Sequence, residues 1–446
     1  SEWAARLPSI AATWATLLLT GWVARRRFGD QGALWATVCL ATMPLVLVIG
    51  RQGTLDALLM LHVWAVVAYD LERVPESTVA PAWPYGLLMG LAFLIKGPVG
   101  VILALLMMLA GRTAAGRPVA PTLRGLTVAV ATWAVVVLPW GLAFLARSGA
   151  AAGSTLRQEV WLRFVQGTDH VEPVWYYGPV LLVACLPWLA PFVFALGRVV
   201  RLGGDPASRT ARYLAAAWVA GMVLFTLSRG KLPNYILPLM PVMAMLLSWE
   251  LAREIERPRQ RIRAASLLVA TLGAFAIGFG VWATGRPPGV LRNIAWVGMG
   301  AYGLAVVASL PALLRRRPRP IWTWAACAQA VFLLTAVAWG PAEVSRNRSA
   351  KWLVEEVPAL TEARTVAMVD MKIPSLTWYL DQVPEEIDLA HLDQRLARDE
   401  GIVFVFDHRD WATVPAETRE KLRPIGRQGK YRVFERAPLP PPPGPG

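Results

Sequence analysis

Four short stretches of this chain combine residue types that can handle a charged group. Arg51-Gln52-Gly53-Thr54-Leu55-Asp56 places a carboxylate at the head of an apolar run. An acid there is costly unless it has a job or a partner. The bland alternative is equally open, since Thr54 or Asp56 can cap a helix start by accepting its free N–H groups. Lys96, in Phe93-Leu94-Ile95-Lys96-Gly97-Pro98, lies between apolar stretches. Its ammonium either snorkels to the membrane interface or holds an anionic head group. Ser228-Arg229-Gly230-Lys231-Leu232-Pro233-Asn234-Tyr235 offers two cations, a glycine and a tyrosine within eight residues. Charge, close backbone approach and a hydroxyl donor suit a phosphate. In the fourth stretch Glu159 and Arg163 stand four apart and can pair on one helix face. Trp161, Leu162 and Phe164 make that helix amphipathic, as for one lying in the interface. It leads to Asp169-His170-Val171-Glu172 and then to Trp175-Tyr176-Tyr177, which reads most simply as an aromatic belt. His170 is a candidate metal ligand, although it has no spaced partner nearby. The other histidines, His62 in an apolar run and His391 and His408 in the tail, show no ligand spacing.

The elements that must position these residues lie in a membrane. The chain has 446 residues, 55% hydrophobic and 17% charged, with a mean hydropathy of +0.44. Soluble domains are about 25% charged. The composition excludes a soluble enzyme, a disordered tail and a disulfide-built secreted domain. Cys39, Cys185 and Cys327 each sit in an apolar run and form no metal-binding pair. About twelve apolar runs are candidate spans: 7–24, 31–50, 54–70, 83–96, 98–110, 125–146, 175–197, 212–228, 233–249, 264–284, 293–313 and 321–340. Lys96-Gly97-Pro98 separates two short ones, which also read as one kinked span. No internal repeat of the kind common in transporters is visible.

The net charge of +15 is not a nucleic-acid signature, because of where it lies. Residues 341–446 carry 15 Lys and Arg against 17 Asp and Glu; the apolar part carries 30 against 13. One alternate set of loops holds 20 basic residues, from Arg25-Arg26-Arg27 to Arg315-Arg316-Arg317 and Arg319, and the other set about ten. By the positive-inside rule the richer set is cytoplasmic. Asp56, Lys96 and the 228–235 loop then face outward, as do both chain ends.

Residues 1–340 are therefore expected to form the membrane domain and 341–437 a small α/β domain outside it, with a disordered proline-rich tail at 438–446. Thr365–Val369, Ile402–Phe406 and Tyr431–Phe434 read as strands. Ser375–Leu380, Leu392–Arg398 and Ala416–Leu422 read as helices between them.

The motifs resemble those of the lipid A aminoarabinose transferases, GT-C glycosyltransferases related to protein O-mannosyltransferases. Phe225 to Pro238 resembles that family's signature loop, and His170 to Tyr177 followed by Leu186-Pro187-Trp188 resembles its large outer loop and next span. Glu159-x-x-x-Arg163-Phe164, Lys96-Gly97-Pro98, Thr54-Leu55-Asp56 and Ala5-Arg6-Leu7-Pro8-Ser9 are similar in the same order.

The resemblance implies a GT-C fold and a membrane enzyme. It would move a pentose such as 4-amino-4-deoxy-L-arabinose, or a hexose, from a polyprenyl-phosphate donor. The acceptor would be lipid A, another envelope glycolipid or a protein, on the periplasmic side of a bacterial inner membrane. It implies that Asp56 is a catalytic acid and that Lys96, Arg229, Lys231 and Tyr235 surround the donor phosphate. It sets His170 at a zinc-ligand position, while the place of a later partner histidine reads Ser345-Arg346-Asn347-Arg348. The family has a further span and an acidic outer loop ahead of the Ala5–Ser9 motif, so the chain is expected to be N-terminally truncated. The competing readings are a lipid or sugar flippase and a catalytically silent membrane protein.

Overall fold

The computed structural model describes residues 2–72, 81–148, 171–200, 205–256, 263–286, 289–371, 373–380, 382–398 and 401–437. Glu159, Arg163, His170 and the 438–446 tail lie outside these. The chain divides into two compact units. One comprises residues 1–286 with 295–333, and the other 287–294 with 334–446.

The first unit is a helical bundle. Its opening helix α1 (Glu2–Ala41) is broken at Gly29, whose φ of 74° suits glycine. A β-carbon on Gly21 would fall 2.6 Å from Thr37 Oγ1, and one on Gly50 would fall 2.5 Å from Thr13 Oγ1. Ser9 Oγ also donates to the Thr54 carbonyl at 2.7 Å. Contacts that close, between residues so far apart in sequence, require the chain to double back at Gly29. The glycines let the two backbones approach. The second arm continues through α2 (Pro44–Gly50) to the site region.

Three short helices follow: α3 (Asp56–Glu72), α4 (Trp83–Lys96) and α5 (Pro98–Ala114). Gly97, with φ 64°, separates the last two. Next comes α6 (Leu123–Ser148), of whose residues only Val137 is buried. It meets α4 across two glycines: a β-carbon on Gly86 would lie 2.1 Å from the Ala129 carbonyl oxygen, and one on Gly90 3.0 Å from Val136.

Helices α7 (Tyr177–Ala184) and α8 (Leu189–Val199) flank a break, where the path between Val174 and Val199 bends by 118°. Trp188 at this break donates from Nε1 to Thr42 Oγ1 at 3.0 Å. Gln329 Nε2 donates to the Thr42 carbonyl at 2.8 Å, and Tyr302 OH donates to Gln329 Oε1. These bonds tie the α1–α2 break to the α7–α8 break. Buried polar groups that find partners hold such irregular backbone in place.

Asp205 caps α9 (Pro206–Leu227), accepting from Ser208 N at 3.0 Å. A 3-10 turn, Pro233–Leu239, leads into α10 (Met240–Glu256), almost all of which is buried as the centre of the bundle. Glu254 accepts from the first backbone N–H groups of α11 (Arg263–Thr284) at 2.8 and 3.2 Å. The helices α12 (Val290–Leu314) and α13 (Pro318–Arg348) complete the series.

Seven described helices are long and apolar enough to cross a membrane, or eight if the bent pair counts as one span. The count of about twelve is not reached. On length, α2, α3, α4 and α5 fall short at 7, 17, 14 and 17 residues, while doubled-back α1 counts once.

The second unit carries a five-stranded sheet of order β2-β1-β3-β5-β4. Its strands are β1 (Thr365–Val369), β2 (Glu385–Ile387), β3 (Ile402–Asp407), β4 (Leu422–Gln428) and β5 (Tyr431–Arg436). β1 pairs in parallel with β2 and β3, while β5 pairs antiparallel with β3 and β4. Side chains alternate between two cores. Val366, Met368, Val403, Val405 and Val433 face one, and Ala367, Val369, Phe404, Phe406 and Phe434 the other. The α/β reading of this region holds.

Candidate functional site

The N-terminus of α3, the C-terminus of α4 and the turn after α9 meet at one end of the bundle. Asp56, 8% exposed, begins α3. Lys96 Nζ donates to its Oδ1 at 2.5 Å, and Asn234 Nδ2 donates to its Oδ2 at 2.7 Å. The carboxylate thus has side-chain partners on both oxygens. Asp56 is bound across elements and is not simply a local helix cap.

Gly97 turns the chain directly after Lys96, so this lysine ends α4 with a third of its side chain exposed. Its ammonium stands 4.8 Å from the Tyr235 ring centre. A cation over an aromatic face gains about 0.5–2 kcal/mol, depending on desolvation. Tyr235 stacks obliquely with Phe225, and Phe225 with Tyr177. Tyr177 in turn donates its hydroxyl to the Leu232 carbonyl at 3.3 Å. The site therefore has an ionic centre and an aromatic wall.

The rest of the loop divides its cations. Arg229 is exposed, and its carbonyl accepts from Glu172 N at 3.3 Å within an isolated Val171–Gly230 bridge. Lys231 is 3% exposed, and its ammonium donates to the carbonyls of Glu172 at 2.9 Å and Ser228 at 2.6 Å. Lys231, expected beside a donor phosphate, is found here on main-chain carbonyls. In this structure it fastens the end of the outer loop to the signature turn, because main-chain oxygens from both surround it.

Of the expected residues, the structure brings together Asp56, Lys96 and Tyr235. It leaves Arg229 exposed on the same loop and turns Lys231 inward. Asn234 is the member that sequence reasoning passed over. Its signal was an amide amid cations, which reads as ordinary loop polarity. Among the described residues no group of three His, Cys, Asp or Glu side chains can hold a metal ion. His170, the expected zinc ligand, lies outside them.

The opposite ends of α3, α4 and α5 carry a second polar centre. Asp70, fully buried, accepts from Arg112 Nε at 2.8 Å and also from Arg112 Nη2. Tyr85 and Tyr213 donate their hydroxyls to it at 2.8 Å each. Arg27 and Arg26 pair with Glu72 nearby.

A family model described as dolichyl-phosphate-mannose-protein mannosyltransferase matches residues 1–148. The undecaprenyl phosphate-alpha-4-amino-4-deoxy-L-arabinose arabinosyl transferase of Edwardsiella ictaluri (strain 93-146) is 29% identical over 403 residues, covering 85% of this chain and 71% of that protein. A second such transferase, from Sodalis glossinidius (strain morsitans), is 27% identical over 404 residues, with 86% and 70% covered. The crystal structure of ArnT from Cupriavidus metallidurans bound to undecaprenyl phosphate superposes with a TM-score of 0.74 at 20% identity, covering 97% of this chain and 84% of that one. By sequence the chain is similar to the aminoarabinose transferases, and it shares the fold of ArnT.

The two lysines of the site region should separate cleanly on mutation. Lys231→Ala removes charge-assisted bonds to carbonyls, each worth about 1.5–3 kcal/mol. The expected result is a lower melting temperature with undecaprenyl phosphate affinity unchanged per folded molecule. Lys96→Ala should weaken that affinity, beyond any loss of stability from leaving Asp56 without its counter-ion. Parallel thermal-shift and binding titrations on the two variants check this. Weakened binding by folded Lys231→Ala protein would return that lysine to the phosphate.

Proposed function

We propose that this protein moves 4-amino-4-deoxy-L-arabinose, or a related pentose or hexose, from a polyprenyl phosphate to an envelope lipid or protein. The reaction takes place on the periplasmic face of a bacterial inner membrane. The observation that supports this best is the Asp56–Lys96–Asn234 cluster beside Tyr235. It joins a carboxylate to a cation at one end of the bundle.

In the reaction the bond from the sugar C1 to the phosphate oxygen breaks, and the phosphate keeps the electron pair. The growing negative charge needs fixed cations. Lys96 supplies one, and Arg229 lies on the same loop. An attacking hydroxyl must lose its proton, and Asp56 is the nearby carboxylate that can take it. An acceptor phosphate oxygen would need only to be oriented. A flippase would require neither the bond cleavage nor a proton acceptor, and the named relatives of this chain are transferases.

Two measurements test the reading. Purified protein given undecaprenyl-phosphate-linked labelled aminoarabinose and lipid A should yield labelled lipid A. Release of neither product nor undecaprenyl phosphate, with any of the acceptors named, would sink it. For orientation, a reporter inserted after Val119, beside the Asp70 centre, should signal from the cytoplasm. One fused after Ala437 should signal from the periplasm. The opposite pattern would reverse the assigned faces.

A further inference from the structure

Resting on that reading, we infer that Asn234 is a positioning residue: its amide holds the Asp56 carboxylate in register with Lys96 and so links the signature loop to the proton acceptor. A carboxylate on a single cation can rotate about its terminal torsion. Here each oxygen has its own donor, Lys96 Nζ at 2.5 Å on one and Asn234 Nδ2 at 2.7 Å on the other. The two donors come from different elements, the end of α4 and the turn before α10. The carboxylate plane is therefore fixed by the packing of three segments. Asn234 adds no charge, so Lys96 remains the single counter-ion bonded to Asp56 among the described residues. A loop cation in its place would compete for Asp56 and leave Lys96 less firmly held.

Asn234 meets Asp56 from α3; the other charged and titratable groups of the site are Lys96 from α4, bonded to Asp56, Tyr235 and Lys231 on the same loop, and Tyr177 from α7, bonded to that loop's Leu232 carbonyl. Asn234→Asp is nearly isosteric and sets a second carboxyl against Asp56. Two carboxylates so close cannot both ionise easily. At acid pH the shared proton restores a donor to Asp56; at alkaline pH the pair repels. The variant should therefore lose stability relative to wild type as pH rises and the repulsion grows.

The experiment compares wild type, Asn234→Ala and Asn234→Asp in turnover of undecaprenyl-phosphate aminoarabinose from pH 5.5 to 8.5. Asn234→Ala should lower kcat by about 10–100-fold, the scale of misplacing a reacting group, with donor KM within twofold. The Asn234→Asp rate, relative to wild type, should recover at least tenfold from pH 8.5 to 5.5. The same variants are melted without substrate. Asn234→Asp should lose more melting temperature than wild type between those pH values, and Asp56→Asn should abolish the difference. A flat rate ratio and a flat melting difference would overturn the role of Asn234. Wild-type protein without transfer would overturn the functional reading instead. The melting comparison alone would then decide whether Asn234 holds Asp56.

Discussion

Asp56→Asn should reduce transfer by about 10²–10⁴-fold, the usual contribution of a positioned acid or base. The substitution keeps the side-chain shape but removes the charge and the proton-accepting oxygen. It also frees Lys96 from its bonded counter-ion. An anionic head group then competes with no carboxylate for that ammonium. Undecaprenyl phosphate affinity should be retained or increased while turnover collapses. Titration of the lipid phosphate and a transfer assay on the same preparation measure both. Turnover within threefold of wild type would remove Asp56 from the chemistry. Lost affinity together with lost turnover would make the carboxylate a holder of Lys96 rather than a proton acceptor.

The second large effect is expected at the other end of α3. Asp70 is fully buried and accepts from Arg112, Tyr85 and Tyr213. Its replacement by Ala leaves a guanidinium and two hydroxyls without their acceptor. Breaking a buried pair by deleting one partner costs about 3–5 kcal/mol. The variant should melt far below wild type and be recovered in low yield. Asp70→Asn, which still accepts two bonds, should fall between them. Fourteen residues of helix separate Asp70 from Asp56, about 21 Å at 1.5 Å per residue. Turnover per folded molecule should therefore stay near normal. A melting temperature equal to that of wild type would mean that Arg112 finds another acceptor.

What the sequence made legible followed from residue type. A carboxylate heading an apolar run, a lysine before Gly97-Pro98 and a tyrosine among cations were visible because each is unusual where it stands. What it hid was direction. Lys231 and Arg229 are two residues apart, yet one is buried on carbonyls and the other exposed. Charge type carries no mark of that difference. Asn234 was overlooked because an amide in a loop is common, and its partner lies 178 residues away. The tail strands rich in valine and phenylalanine were read correctly. β2, as Glu385-Glu386-Ile387, has too few apolar residues to show a pattern, and β4 is masked by Pro424 and an irregular register near Gly426. The span count differs from the tally of long apolar helices for a geometric reason, because several apolar runs fold as short helices and two share the doubled-back α1.

That shortness has a consequence for the surrounding lipid. The 14 residues of α4 rise only about 21 Å, against a hydrocarbon layer of about 30 Å. Hydrophobic mismatch of this kind is relieved by local thinning of the membrane or by sinking of the helix end. Since Lys96 is that end, a long-chain phospholipid environment bears directly on the depth at which a donor head group must be met. Acyl-chain length in the host membrane thereby becomes a physical variable of the transfer reaction, acting through no contact with either substrate.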